Sequence, residues 1–141
     1  MLKGIPAILS PELLKVLMEM GHGDEITIGD GNSPAASTAR NLIRLDGHGV
    51  CEILDAILTF FPLDTFVDEP VLLMEKTPGD PADTSIWDKY KAIVEKHQPG
   101  TKVGFLERFA FYDRADKSYA VIATGETAVY ANVILKKGVV K

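Results

Sequence analysis

Helical segments with one apolar face alternate along this chain with short, almost uninterrupted apolar runs, and that alternation restricts the fold more than any other feature. Runs such as PVLLMEK, ending at Lys76, and YAVIATGE, starting at Tyr119, lack a clean polar face, so both sides of the strands they form must be covered. Helices supply that cover, and the pattern predicts an α/β fold: a three-layer α/β/α arrangement around a central, mixed, largely buried sheet. No repeat or linker divides the 141 residues, 46% of which are apolar, so one domain spanning 1–141 is expected.

The helices announce their ends. Ser10, Pro11 and Glu12 form a helix start, with a side-chain cap, a proline whose missing N–H costs nothing, and an acid at the positive end of the dipole. Leu13, Val16, Leu17 and Met20 then share one face, and Gly21 is expected to close the last turn in a left-handed conformation. Helical spacing recurs in VCEILDAILTFF up to Pro62, and from Ile86 to His97 before Pro99 and Gly100. EITIGD, NLIRLDG, PVLLMEK, KVGFLE, YAVIATGE and ANVILKKG read as strands. RFAFYDRADKS supports either a short helix or irregular structure.

Composition removes several classes of function. A net charge of −5 with scattered bases prepares no face for a phosphate backbone, so nucleic acid is not an expected partner. No apolar stretch is long enough to span a bilayer, and Pro6 and Pro11 interrupt the N-terminal run, which predicts neither a membrane segment nor a signal peptide. Cys51 stands alone, so no intrachain disulfide or thiolate cluster forms, and a cytoplasmic location fits. His22, His48 and His97 lack the spacing of a local metal-ligand pair, and no phosphate loop or dinucleotide fingerprint is present. Neither a metal nor a cofactor is expected.

Two stretches hold the candidate chemistry. In GHGDEITIGDGN, glycines flank His22 and would let a ligand approach its imidazole, a group whose free pKa of about 6.5 suits proton transfer near neutrality. The same histidine could equally follow a helix C-terminus, where the dipole favours a cation. Asp30 closes the adjoining strand; it reads as a turn acid or, at a strand end, as a ligand-binding carboxylate. Arg108 lies in an aromatic-rich segment that a charged face over an aromatic core also explains. Tyr130 and Asn132, around Ala131, offer the donors and acceptors that a neutral polyol needs, or serve structure at a strand entrance.

Taken together, LSPELLKVLMEMGHGDEI, IRLDG, RFAFYDRA and TGETAVYANVILKKGV resemble, in order and over essentially the whole chain, the sugar mutarotases comprising L-fucose mutarotase and D-ribose pyranase. The RFAFYDRA segment is closer to the fucose branch. The resemblance implies His22 as the catalytic acid, Asp30 as a sugar-binding carboxylate, Arg108 as a sugar contact, and Tyr130, Ala131 and Asn132 as the Tyr-x-Asn binding segment. It implies exchange of α and β anomers of a free monosaccharide, L-fucose first, by acid/base-catalysed ring opening and closure. Pyranose-to-furanose conversion of D-ribose is the catalytic alternative, and a non-catalytic sugar-binding module is the alternative from another class. The resemblance also implies a homo-oligomer, commonly a decamer, with sites near subunit boundaries.

Overall fold

A computed structural model describes residues 1–141. Its elements run α1 (Pro11–Glu19), β1 (Glu25–Gly29), α2 (Ala35–Thr38), β2 (Leu42–Leu45), α3 (Val50–Leu58), β3 (Val71–Met74), α4 (Ile86–His97), β4 (Val103–Leu106), α5 (Arg108–Lys117), β5 (Ala120–Thr124) and β6 (Val133–Lys136). The strands form one mixed sheet in the order β2-β5-β1-β6-β3-β4. β6 is antiparallel to both its neighbours, and the other pairings are parallel. The C-terminal ends of β1 and β3 therefore meet the segment that enters β6.

Alternation within the strands divides the core between two faces. Ile26, Ile28, Val71, Leu73, Ala120, Ile122, Val133 and Leu135 join α1, α3 and α4 in the large core. Their intervening neighbours face the other way. Leu72, Met74 and Ile134 pack on Phe111 and Ala115 of α5, while Val121 and Ala123 pack on Ala35 of α2. This second layer is thin. Phe111 and Ala115 are the buried residues that anchor α5, so truncating Phe111 to alanine would cost about 3–5 kcal/mol and release the helix that starts at Arg108.

Two helix ends differ from their sequence signatures. Gly21 does not take the left-handed conformation; Met20 ends α1 with extended backbone, and the positive φ falls on Gly23 at 88°. Side chains do the capping instead. The Asp24 carboxylate accepts the Gly21 N–H at 2.7 Å, and Lys137 Nζ donates to the Leu17 and Met20 carbonyls at 2.9 and 2.6 Å, which satisfies orphan groups of the last turn. α3 stops at Leu58, before the two phenylalanines, where the N–H groups of Phe60 and Phe61 share the Ile57 carbonyl, the first through a tighter i→i−3 bond. At the other end of α3, Glu52 reaches back to the Gly49 N–H at 3.2 Å, half of a capping box whose other half a glycine cannot provide.

The ambiguous RFAFYDRADKS segment is helical as α5, started by Glu107, whose carboxylate accepts from the N–H groups of Phe109 and Ala110. α2 is a single turn with no signature in the sequence. No helix is long and apolar enough to cross a membrane.

Candidate active site

Asp30 directly follows β1, and its main chain is held from both sides. The hydroxyl of Thr124 donates to the Gly29 carbonyl at 2.7 Å, and the Gly31 N–H donates to the Glu126 carbonyl at 2.8 Å. Such closeness demands glycine: a Cβ on Gly31 would stand 2.8 Å from the Glu126 oxygen, and one on Gly29 would stand 2.7 Å from the Ser33 hydroxyl. The turn is thereby pressed against the β5 exit, with Asp30 only 6% exposed.

The Asp30 carboxylate accepts the Asn32 N–H at 3.0 Å and the Ala131 N–H at 3.3 Å, while its own N–H donates to Asn132 Oδ1 at 2.8 Å. Burial pushes the carboxyl above the ordinary aspartate value, partly offset by the backbone N–H groups it receives. The bond from Asp30 also fixes the Asn132 amide: its oxygen must face a donor, so its nitrogen faces away, 4.0 Å from Met74 Sδ. A sulfur at that distance is a weak acceptor, which leaves the amide hydrogens for a ligand.

Tyr130 enters this region in a left-handed conformation, φ 53°, unusual for a bulky residue. α4 holds it there. Trp87 Nε1 donates to the Tyr130 carbonyl at 2.8 Å, and the buried Tyr90 hydroxyl donates to the Ala131 carbonyl at 2.9 Å. The Tyr130 hydroxyl donates to Asp80 Oδ2 at 2.6 Å, a bond that holds the Asp80 carboxyl below the usual range. Its one proton is thus committed within the chain, and the phenolic oxygen remains as an acceptor. Ala131 is fully buried and contributes backbone groups, with no side chain at the cavity surface.

Asp30, Asp80, Tyr130 and Asn132 line an open cavity of about 390 Å³ together with Asn32, Ser33, Arg108 and Tyr112. Its size falls within the range of small-ligand sites. Arg108 is the first residue of α5, and its guanidinium lies 4.6 Å from the Phe109 ring centroid and forms no ion pair in the chain. The cavity therefore presents a buried carboxylate, a fixed amide, a free guanidinium and two aromatic rings. That set matches a polyhydroxylated ring: acceptors and donors for hydroxyls, and flat carbon surface for its apolar edge.

His22 is elsewhere. It lies in the turn before β1, whereas Asp30 lies after it, so roughly 13 Å of strand separates the two positions, at about 3.3 Å per residue. The structure brings Asp30, Arg108, Tyr130, Ala131 and Asn132 together and leaves His22 at the opposite end of the strands. There its Nε2 lies 3.0 Å from Asp64 Oδ1, and its ring tilts against Phe66 with centroids 5.3 Å apart. Sequence reasoning missed Asp64, Asp80 and Trp87, each of which reaches its partner through long-range packing, and none sits in a motif that flags it. Tyr112 lies in the RFAFYDRA segment, where its residue type alone assigned it no role beside the cavity.

The sequence model of the RbsD / FucU transport protein family matches residues 3–140. The chain belongs to this family. Within the RbsD / FucU family it is similar to the L-fucose mutarotase of Actinobacillus pleuropneumoniae, 51% identical over 99% of this chain and 97% of that one. Its fold matches FucU from Bifidobacterium longum with a TM-score of 0.96, at 58% identity over 99% of this chain and 100% of the other. It also matches the fucose mutarotase from Streptococcus pneumoniae, solved in complex with L-fucose, with a TM-score of 0.93, at 51% identity over 99% of this chain and 100% of the other.

Proposed function

We propose that this RbsD / FucU family member is an L-fucose mutarotase, an isomerase that exchanges the α and β anomers of the free sugar. The observation that carries this reading is the convergence of Asp30, Arg108 and Asn132 on one cavity, in a chain aligned over nearly its full length with fucose mutarotases. Asp30 accepts sugar hydroxyls, Arg108 and the Asn132 amide donate to them, and Tyr130 and Tyr112 wall the ring. The reaction opens a cyclic hemiacetal and closes it on the other face. A proton reaches the ring oxygen as its bond to the anomeric carbon breaks, and the anomeric hydroxyl loses a proton. No electrons are gained or lost, so the chemistry requires no redox cofactor.

His22 supplies the proton to the ring oxygen in this reading. Since it stands at the opposite end of β1 from Asp30, the histidine that serves a given cavity comes from a neighbouring copy of the chain. A homo-oligomer, as a decamer, is the working form, with each copy acting as one domain over 1–141 in the cytoplasm. Exposed Phe66, at 71% of its surface, beside His22 and exposed Phe109, at 63%, beside Arg108 are apolar surfaces suited to such a junction.

Saturation-transfer NMR of anomer exchange tests the proposal. L-Fucose exchange faster than in buffer and faster than any effect on D-ribose is expected. Binding of L-fucose without faster exchange would reject it in favour of a binding module.

A further inference from the structure

The four tyrosines differ in what holds their hydroxyl protons. Tyr90 donates to a main-chain carbonyl inside the core, and Tyr119 donates to exposed Glu19 at 2.6 Å, outside the cavity. Tyr112 and Tyr130 line the cavity itself, and of these two Tyr130 has its proton tied to a carboxylate, Asp80 Oδ2 at 2.6 Å.

Asp80 is fixed to receive that proton. It lies in the PGDPAD loop between β3 and α4, where its N–H donates to the Thr77 carbonyl at 3.1 Å and its Oδ1 accepts the Ala82 N–H at 2.9 Å. Lys76 Nζ donates to the Ala82 carbonyl at 3.2 Å and pins the same loop from its other side. With Oδ1 committed to the main chain, Oδ2 is the oxygen left for Tyr130. The Tyr130 backbone is held in turn by Trp87, in its left-handed conformation of φ 53°, so the phenol meets Asp80 from a fixed origin. The bonds from Tyr130 and Ala82 hold the Asp80 carboxyl below the usual range, so near neutrality it is ionised and has no proton of its own to offer.

A sugar has the complementary need. Each of its hydroxyls carries a hydrogen to be placed, and acceptors in the cavity are few: Arg108 only donates, and the Asp30 carboxylate already takes two main-chain N–H groups. We propose that Asp80 is a positioning residue for Tyr130: by taking the phenol's proton it fixes Tyr130 as an acceptor, so that the sugar hydroxyl meeting the phenolic oxygen must donate to it. This rests on the mutarotase reading. Asp80→Asn reverses that polarity while keeping the side chain's shape. The Ala82 N–H retains the amide oxygen, the amide nitrogen then donates to the phenolic oxygen, and the Tyr130 proton is released toward the sugar.

L-Fucose analogues with fluorine in place of one hydroxyl, taken through each hydroxyl-bearing carbon in turn, read this polarity, because fluorine has no hydrogen to donate. Isothermal titration compares the Kd of each analogue with that of L-fucose. With wild type, fluorine at the carbon facing Tyr130 is expected to weaken binding by about tenfold, since the phenolic oxygen then meets a second acceptor. Tyr130→Phe should remove that penalty and Asp80→Asn should reduce it, with the ratios for the other positions unchanged. An Asp80 that only held the loop would give an Asp80→Asn variant weakened alike for L-fucose and every analogue; such unchanged ratios overturn the proposal. If Asp80→Asn does not fold, ultraviolet resonance Raman decides. The Tyr130 doublet, isolated by subtracting the Tyr130→Phe spectrum, should mark a donor without sugar and a donor that also accepts with it; a doublet unmoved by bound L-fucose overturns the proposal. A wild type that neither binds nor exchanges L-fucose would reject the mutarotase reading and the proposal with it, whereas L-fucose bound and exchanged with unchanged ratios rejects the proposal alone.

Discussion

The side chain of Asn132, at the entrance to β6, accepts the main-chain N–H of Asp30, at the exit of β1, at 2.8 Å. One bond thus ties together the ends of two neighbouring antiparallel strands and turns the amide nitrogen toward the cavity. Asn132→Ala leaves a buried N–H without an acceptor, a loss of about 1–3 kcal/mol in unfolding free energy. Denaturant titration should show that fall, with L-fucose affinity lost in the fraction that remains folded.

Burial of Asp30 makes its stability contribution run opposite to that of an ordinary salt-bridged carboxylate. A folded pKa raised above the unfolded value means that the native state holds its proton more tightly. The cost of ionising Asp30 is absent below the unfolded pKa and grows as pH rises from there through the raised folded value. The difference in stability between wild type and Asp30→Asn should therefore move against wild type across that interval and flatten above it. Thermal melts from pH 3 to pH 8 check this; a difference that moves in favour of wild type with rising pH would contradict the assignment.

Arg108 is exposed and unpaired, and its positive charge sits at the N-terminal end of α5, where the dipole disfavours it. Arg108→Ala should leave stability within about 0.5 kcal/mol of wild type. Sugar affinity should fall markedly, as isothermal titration with L-fucose would show. Weak binding accompanied by a large drop in melting temperature would place Arg108 in the scaffold instead.

The proposed sharing of each site between two copies predicts complementation. His22→Ala and Asp30→Asn chains, each inactive alone, should regain part of the wild-type exchange rate when unfolded together and reassembled, because some junctions then unite an intact His22 with an intact Asp30. Mixtures no more active than their components would show that both residues must lie on one chain.

Local signals revealed the helices and strands where physics is local. α4 has the bounds Ile86–His97 that its spacing and the following proline and glycine indicate, and α1 stops one residue short of Met20. α5 was ambiguous because it buries only Phe111 and Ala115, while Phe109 is exposed, so its apolar residues trace no single face. α2 was invisible for a similar reason: one turn with a single buried residue, Ala35, produces no periodicity. The cavity was partly legible, since Asp30 and Asn132 stand at strand ends where polar groups gather. Asp80 was not. Its bond to Tyr130 closes over 50 residues of intervening chain, and the pairing of β3 with β6 and the hold of α4 on Tyr130 bring the two together. The separation of His22 from Asp30 was implicit in the strand between them, since no strand brings its own two ends together.

In the proposed reaction His22 carries the proton for anomer exchange at the cavity of Asp30, Arg108 and Asn132. Saturation-transfer NMR on α- and β-L-fucose with wild type and His22→Ala, both confirmed folded and equally assembled, tests it most directly. Rapid exchange is expected with wild type and a rate lower by about 10²- to 10⁴-fold with His22→Ala, with L-fucose still bound. Full exchange by His22→Ala would contradict it.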